Sequence, residues 1–127
     1  MLKNKRTKKM LKSIIFISWL ISVTAVIFLS LKPGFGPSEE YNLDKIVHCG
    51  TYAFLTILCF LFTRNKKSLF ILCLLLISIG GGVEYLQSFT PTRNASIGDF
   101  LANTIGVLIG AACGRIIQIF RNVWIKR

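Results

Sequence analysis

Acid is scarce in this chain: five Asp and Glu stand against sixteen Lys and Arg, a net charge of +11. Histidine is scarcer still, with one copy, and no H-E-x-x-H is present. A closed zinc site, which needs four nitrogen or sulfur ligands, is thereby disfavoured. Four cysteines occur, but never as C-x-x-C, so their spacing shows neither a zinc knuckle nor a redox pair. Cys49, Cys59, Cys73 and Cys113 all fall inside apolar blocks, where a free thiol packs as a small hydrophobe. The 53% apolar fraction excludes a disordered chain. A pI near 10.0 would by itself suggest nucleic acid. The placement of charge points elsewhere, because basic residues lie between long apolar blocks with almost no charge. That is how a polytopic membrane protein is written. No nucleic-acid partner is expected, and no cofactor is called for; membrane lipids are the expected surroundings.

A bilayer core of about 30 Å takes about 20 helical residues, and four blocks approach or reach that length, the fourth grading into a basic tail. The first, residues 13–31, has no charged side chain and follows a basic segment, residues 1–12. Its apolar stretch exceeds that of a secretory signal, and no small-x-small cleavage site follows. It is therefore read as a retained anchor. Pro33, Gly34, Gly36 and Pro37 end it. The other three spans occupy residues 43–115: about Leu43 to Thr63, Ser68 to Phe89, and Phe100 to Arg115. Residues 116–127 form a basic amphipathic tail, with Ile116, Ile117, Phe120, Val123 and Trp124 on one face and Arg115, Gln118, Arg121 and Asn122 on the other. The runs are continuous, not alternating, which excludes a β-barrel. The fold class is an all-α membrane protein, a bundle of four transmembrane helices.

Thirteen of the sixteen basic residues lie at one end of these spans: the N-terminal segment, the Arg64, Lys66 and Lys67 turn, and the C-terminal tail. The other end has Lys32, Lys45 and Arg93, with Glu39, Glu40, Asp44 and Asp99. By the Lys/Arg bias, both termini are expected in the cytoplasm, and a bacterial inner membrane is the expected location. The Asn94-Ala95-Ser96 sequon sits close to two helix ends and is taken as chance.

Function is sought in depth along the spans. Asp44, Lys45, His48 and Tyr52 occupy the outer turns of the second span. Glu84 lies five residues inside the outer end of the third, with Gln87 one turn further out. Asp99 opens the fourth span and Asn103 is one turn deeper. Spacings of three and four place each set on one helix face. An acid inside a span is a functional hypothesis by default, and His48, Lys45 and Arg93 are candidate partners for Glu84. Asp44 and Asp99 have a structural alternative as helix N-caps. Gly106, Gly110 and Gly114, with Gly80, read as packing positions. The expectation is that the last span packs on the third through Gly80-Gly81-Gly82, is the central helix, and leaves the first span at the periphery.

These residues, in this order, resemble the VanZ-like family. That pattern has an Asp-Lys pair with His and Tyr following, met here by Asp44, Lys45, His48 and Tyr52. A Gly-x-x-x-Glu-x-x-Gln block is met by Gly80, Glu84 and Gln87, and a loop Arg and Ser by Arg93 and Ser96. Asp-x-x-Ala-Asn-x-x-Gly-x-x-x-Gly is met by Asp99, Ala102, Asn103, Gly106 and Gly110. The chain departs at Cys49, where an aromatic is usual, and at Thr92-Arg93, where Pro-Gly-Arg is common. The resemblance implies an integral membrane protein whose family is named after a member linked to teicoplanin resistance, with no established chemistry.

Three functions fit the residues, with proton or ion movement by Glu84 and His48 a fourth that no acid in the inner half of any span supports. An outward-facing site could bind an envelope precursor or glycolipid headgroup, Lys45 and Arg93 pairing with phosphate. An intramembrane enzyme could use His48, Glu84 and Asp99 on a divalent metal, or His48 and Glu84 as base and orienter. A structural subunit, with a homodimer as one arrangement, would use the glycines and amides for helix association.

Overall fold

In the computed structural model of the chain, residues 5–32, 43–89 and 96–126 are described, with side chains as far as Val123. Four helices follow one another: α1 (Lys5–Leu31), α2 (Leu43–Phe62), α3 (Lys66–Gln87) and α4 (Ile97–Lys126). All four are long and apolar enough to cross a membrane. At about 1.5 Å per residue, the 30 residues of α4 reach roughly 45 Å, beyond a bilayer core. The basic tail is therefore a continuation of the fourth helix. Likewise α1 begins at Lys5, within the basic N-terminal segment.

Local chemistry sets the α2–α3 turn. Asn65 accepts from the backbone N–H of Lys67 at 2.9 Å and of Ser68 at 3.2 Å, satisfying two donors that a helix start leaves open. Gln118, far along α4, donates through Nε2 to the carbonyls of Phe60 (2.8 Å) and Thr63 (2.9 Å), closing the end of α2. Its spacing had placed it on the polar face of an interfacial tail. It is in fact buried, while Ile116, Ile117, Phe120 and Val123 face outward. In lipid the economical arrangement is polar inward and apolar outward. The whole bundle follows it. The buried polar side chains described are Asp44, Thr56, Glu84, Gln87, Asp99, Asn103 and Gln118, whereas Phe28, Phe70 and Leu108 are exposed.

The centre of the bundle is α2, not α4. It packs against each of the other three helices and supplies Tyr52, Leu55, Cys59 and Phe60 to the core. The glycines of α4 explain the correction. A Cβ at Gly106 would run into the carbonyl of Cys49, one at Gly110 into that of Ala53, and one at Gly114 into the ring of Phe60. The stripe thus lets α4 lie directly on the α2 backbone. The α3 glycines play a smaller part: Gly80 faces Asn103 and Tyr52, Gly81 faces Phe100, and Gly82 faces open space. Helix α1 is peripheral, since only Trp19 and Val23 are buried and it does not reach α4 among the described residues. It is nevertheless fastened at its middle and at its C-terminal end. Trp19 Nε1 donates to the Leu55 carbonyl at 3.1 Å, and Ser30 O accepts from Gln87 at 2.7 Å. Trp19 also sits in an aromatic cluster with Phe16 and Phe62.

Candidate functional site

Helix direction brings three ends together. The N-termini of α2 and α4 lie beside the C-terminal turns of α3, at the end of the bundle opposite the Arg64 turn. Asp44 and Asp99 sit in the first turns of α2 and α4. Neither is an N-cap. Ser96 holds that position at α4, its carbonyl accepting from the N–H of Asp99 (3.0 Å) and Phe100 (3.2 Å). The Ser96 N–H points in turn to Glu84 Oε2, 3.4 Å away on α3. The loop end is thus pinned to the acid inside the third span.

The floor is set by tight packing below. Gly80 leaves α3 close enough to α4 that an added Cβ would come within 3.2 Å of Asn103. Asn103 is 1% exposed, and its Oδ1 lies 3.0 Å from His48 Nδ1. With the amide oxygen toward the ring, Nδ1–H donates, which in the neutral imidazole leaves a lone pair on Nε2. A His48 ring nitrogen and one carboxylate oxygen each from Glu84 and Asp99 lie within 4.8 Å of one another. Three side chains from three helices therefore converge on one point.

Above them Lys45 spans two acids. Its Nζ is 3.4 Å from Asp44 Oδ2 and 3.8 Å from Asp99 Oδ1. Gly98 makes room for it, because a Cβ there would meet Lys45 Cε at 2.9 Å. One lysine does not satisfy two carboxylates. Asp44 Oδ1 and Asp99 Oδ1 are buried without a hydrogen-bond donor, and Asn103 Nδ2 is buried without an acceptor. Each such group costs about 1–3 kcal/mol when left unmade, more in a low-dielectric setting. A bundle selected only for stability would not gather them.

The chain matches the VanZ/LLP1 family over residues 2–118. It belongs to the VanZ/LLP1 family. No curated protein and no solved structure matches it. The family match takes in α1 as well as the residues from Asp44 to Gly114 that carry the motif resemblance. The chain is accordingly a multi-pass integral membrane protein.

Within this VanZ/LLP1 protein, the residues singled out from sequence divide by position. Asp44, Lys45, His48, Glu84, Asp99 and Asn103 gather at the polar end. Tyr52 is buried one turn below, beside Gly80. Gln87 is buried but sends its Nε2 toward α1, where it holds the Ser30 carbonyl. Arg93 lies outside the described residues. Sequence reasoning missed Trp19 and Gln118 as fasteners. The one indole of the first span, and an amide within a run of isoleucines, were the available signals.

Proposed function

We propose that this VanZ/LLP1 protein binds the polar headgroup of a cell-envelope component, in a site opening on the outer face of a bacterial cytoplasmic membrane. The observation that carries this reading is the convergence of His48, Glu84 and Asp99 from three helices within 4.8 Å. In a membrane protein such a cluster is expensive and marks a ligand path by default. The sidedness rests on the Lys/Arg bias, with thirteen basic residues toward the opposite end. Two helix N-termini meet at the polar end, and their dipoles favour an anion. The side chain of Lys45, 40% exposed, adds a cation at the rim. A lipid-linked phosphate headgroup combines these needs, with its tail against the apolar outer faces of the helices. Glycopeptide susceptibility, including that to teicoplanin, is a natural readout because those antibiotics act on envelope components at that face.

A second reading has one observation behind it. His48 held through Nδ1 by Asn103 is arranged as a base is held by its orienter, which suits hydrolysis of a lipid-linked phosphate or ester. Release of inorganic phosphate from a polyprenyl phosphate by the purified protein would favour it.

The test is complementation of a deletion strain, scored by envelope stress and teicoplanin susceptibility. Glu84→Gln and Asp99→Asn should fail to complement although the protein is present in the membrane. Ser78→Ala, on an exposed position of α3, should complement fully. Full complementation by both acid variants would remove the reading and leave a structural role.

A further inference from the structure

The polar end contains a contradiction. A phosphate-bearing headgroup, if the reading above is right, approaches three carboxylates, and like charges at close range repel. One added component removes the conflict. We propose that His48, Glu84 and Asp99 hold a divalent cation, whose remaining coordination positions take the phosphate oxygens of the bound headgroup; the second half of this proposal rests on the headgroup reading, the first does not.

The geometry is nearly closed for a metal. Metal–nitrogen and metal–oxygen bonds of about 2.0–2.2 Å put ligand atoms on one ion no more than about 4.4 Å apart. The three groups lie within 4.8 Å of one another, so a small rotamer adjustment closes the set. The histidine is prepared for the role. Metal-binding imidazoles commonly donate their second N–H to a carbonyl or carboxylate, which fixes the tautomer. Here Asn103 Oδ1 receives His48 Nδ1–H at 3.0 Å.

Unsatisfied atoms at and beside these ligands also ask for a cation. Asp44 and Asp99 are 7% and 9% exposed, and Oδ1 of each has no hydrogen-bond donor. The lysine they share reaches Asp99 only at 3.8 Å. An ion on Asp99, carrying water, supplies charge to one oxygen and donors to the other. Its water also offers an acceptor to Asn103 Nδ2, the third unsatisfied group. One nitrogen and two oxygens select against the all-oxygen preference of Ca2+ and Mg2+ and suit Mn2+ or Zn2+. Three protein ligands leave positions open, the hallmark of a site that receives a further molecule.

The test uses the full chain in lipid nanodiscs, with Mn2+ as probe. Equilibrium dialysis should find one Mn2+ per chain, and pulsed electron paramagnetic resonance should show coupling to one imidazole nitrogen. His48→Ala should abolish that coupling, and His48→Ala and Asp99→Asn should each weaken binding at least tenfold. Wild-type protein should melt at a higher temperature with Mn2+ than with chelator, a readout independent of how the variants fold. Substoichiometric binding without nitrogen coupling, or variants that bind as wild type does, would overturn the proposal. Binding of phosphatidic acid, measured with and without chelator, separates the two claims. If phosphatidic acid binds equally in both and Mn2+ does not bind, the cation is refuted while the headgroup reading stands. If Mn2+ binds as described and phosphatidic acid does not, the cation stands and the headgroup reading falls.

Discussion

The α2–α4 contact is built in two ways along its length. From Gly106 to Gly114 it is dry and close, with each glycine pressed on α2 at Cys49, Ala53 or Phe60. One turn nearer the loop end, the same two helices face each other through His48, Asn103, Lys45, Asp44 and Asp99. In the glycine half the contacts are short, and Thr56, buried beside Gly110, donates to the Tyr52 carbonyl at 2.8 Å. The polar half holds buried carboxylate and amide atoms that the protein itself does not satisfy. The difference teaches what each half is for. Backbone contact fixes where α4 lies, and that fixed register presents His48 and Asp99 to Glu84.

The contrast can be broken by filling the close half. Gly110→Leu places a branched side chain against the Ala53 carbonyl and Thr56. Overpacking commonly costs 1–3 kcal/mol, and contact with backbone leaves no flexible group to yield, so a loss of about 3 kcal/mol or more is expected. Unfolding of the purified protein in mixed micelles checks it. Next in size is Gln118→Leu, which frees the Phe60 and Thr63 carbonyls and should cost about 1–2 kcal/mol in the same assay. Trp19→Phe keeps the aromatic cluster but removes one hydrogen bond to Leu55, for about 1 kcal/mol. The smallest stability effect belongs to the polar half. Glu84→Gln should change the unfolding free energy by less than about 1 kcal/mol in either direction, because the cost of burying the carboxyl group offsets its contacts. Function should rank the other way, with Glu84→Gln abolishing complementation and Trp19→Phe sparing it. Should Glu84→Gln prove as destabilising as Gly110→Leu, the two halves would be alike and the polar cluster structural.

Much of this was legible in the residues. Four long apolar runs gave four helices, because lipid leaves the backbone no other way to satisfy its hydrogen bonds. The common depth of His48, Glu84 and Asp99 followed from helix direction and a fixed rise per residue. Which neighbour the Gly106–Gly110–Gly114 stripe would meet was not legible. A glycine row announces close approach but does not name the partner, and the Gly80-Gly81-Gly82 run on α3 looked equally suited. The Cys49 and Ala53 backbone chosen instead leaves no mark in the side-chain pattern. Gln118 was hidden for a related reason. Among basic neighbours its amide resembled solvated surface, and only the end of α2 beside it makes it a cap.

All of the functional reading depends on which side of the membrane the polar end faces. Single cysteines in a background lacking Cys49, Cys59, Cys73 and Cys113 would decide it, with Ser88→Cys beside the polar end and Asn65→Cys at the α2–α3 turn. Treated in intact cells with a membrane-impermeant maleimide, Ser88→Cys should label and Asn65→Cys should label only after lysis. Labelling of Asn65→Cys alone in intact cells would turn the cluster toward the cytoplasm and contradict the account.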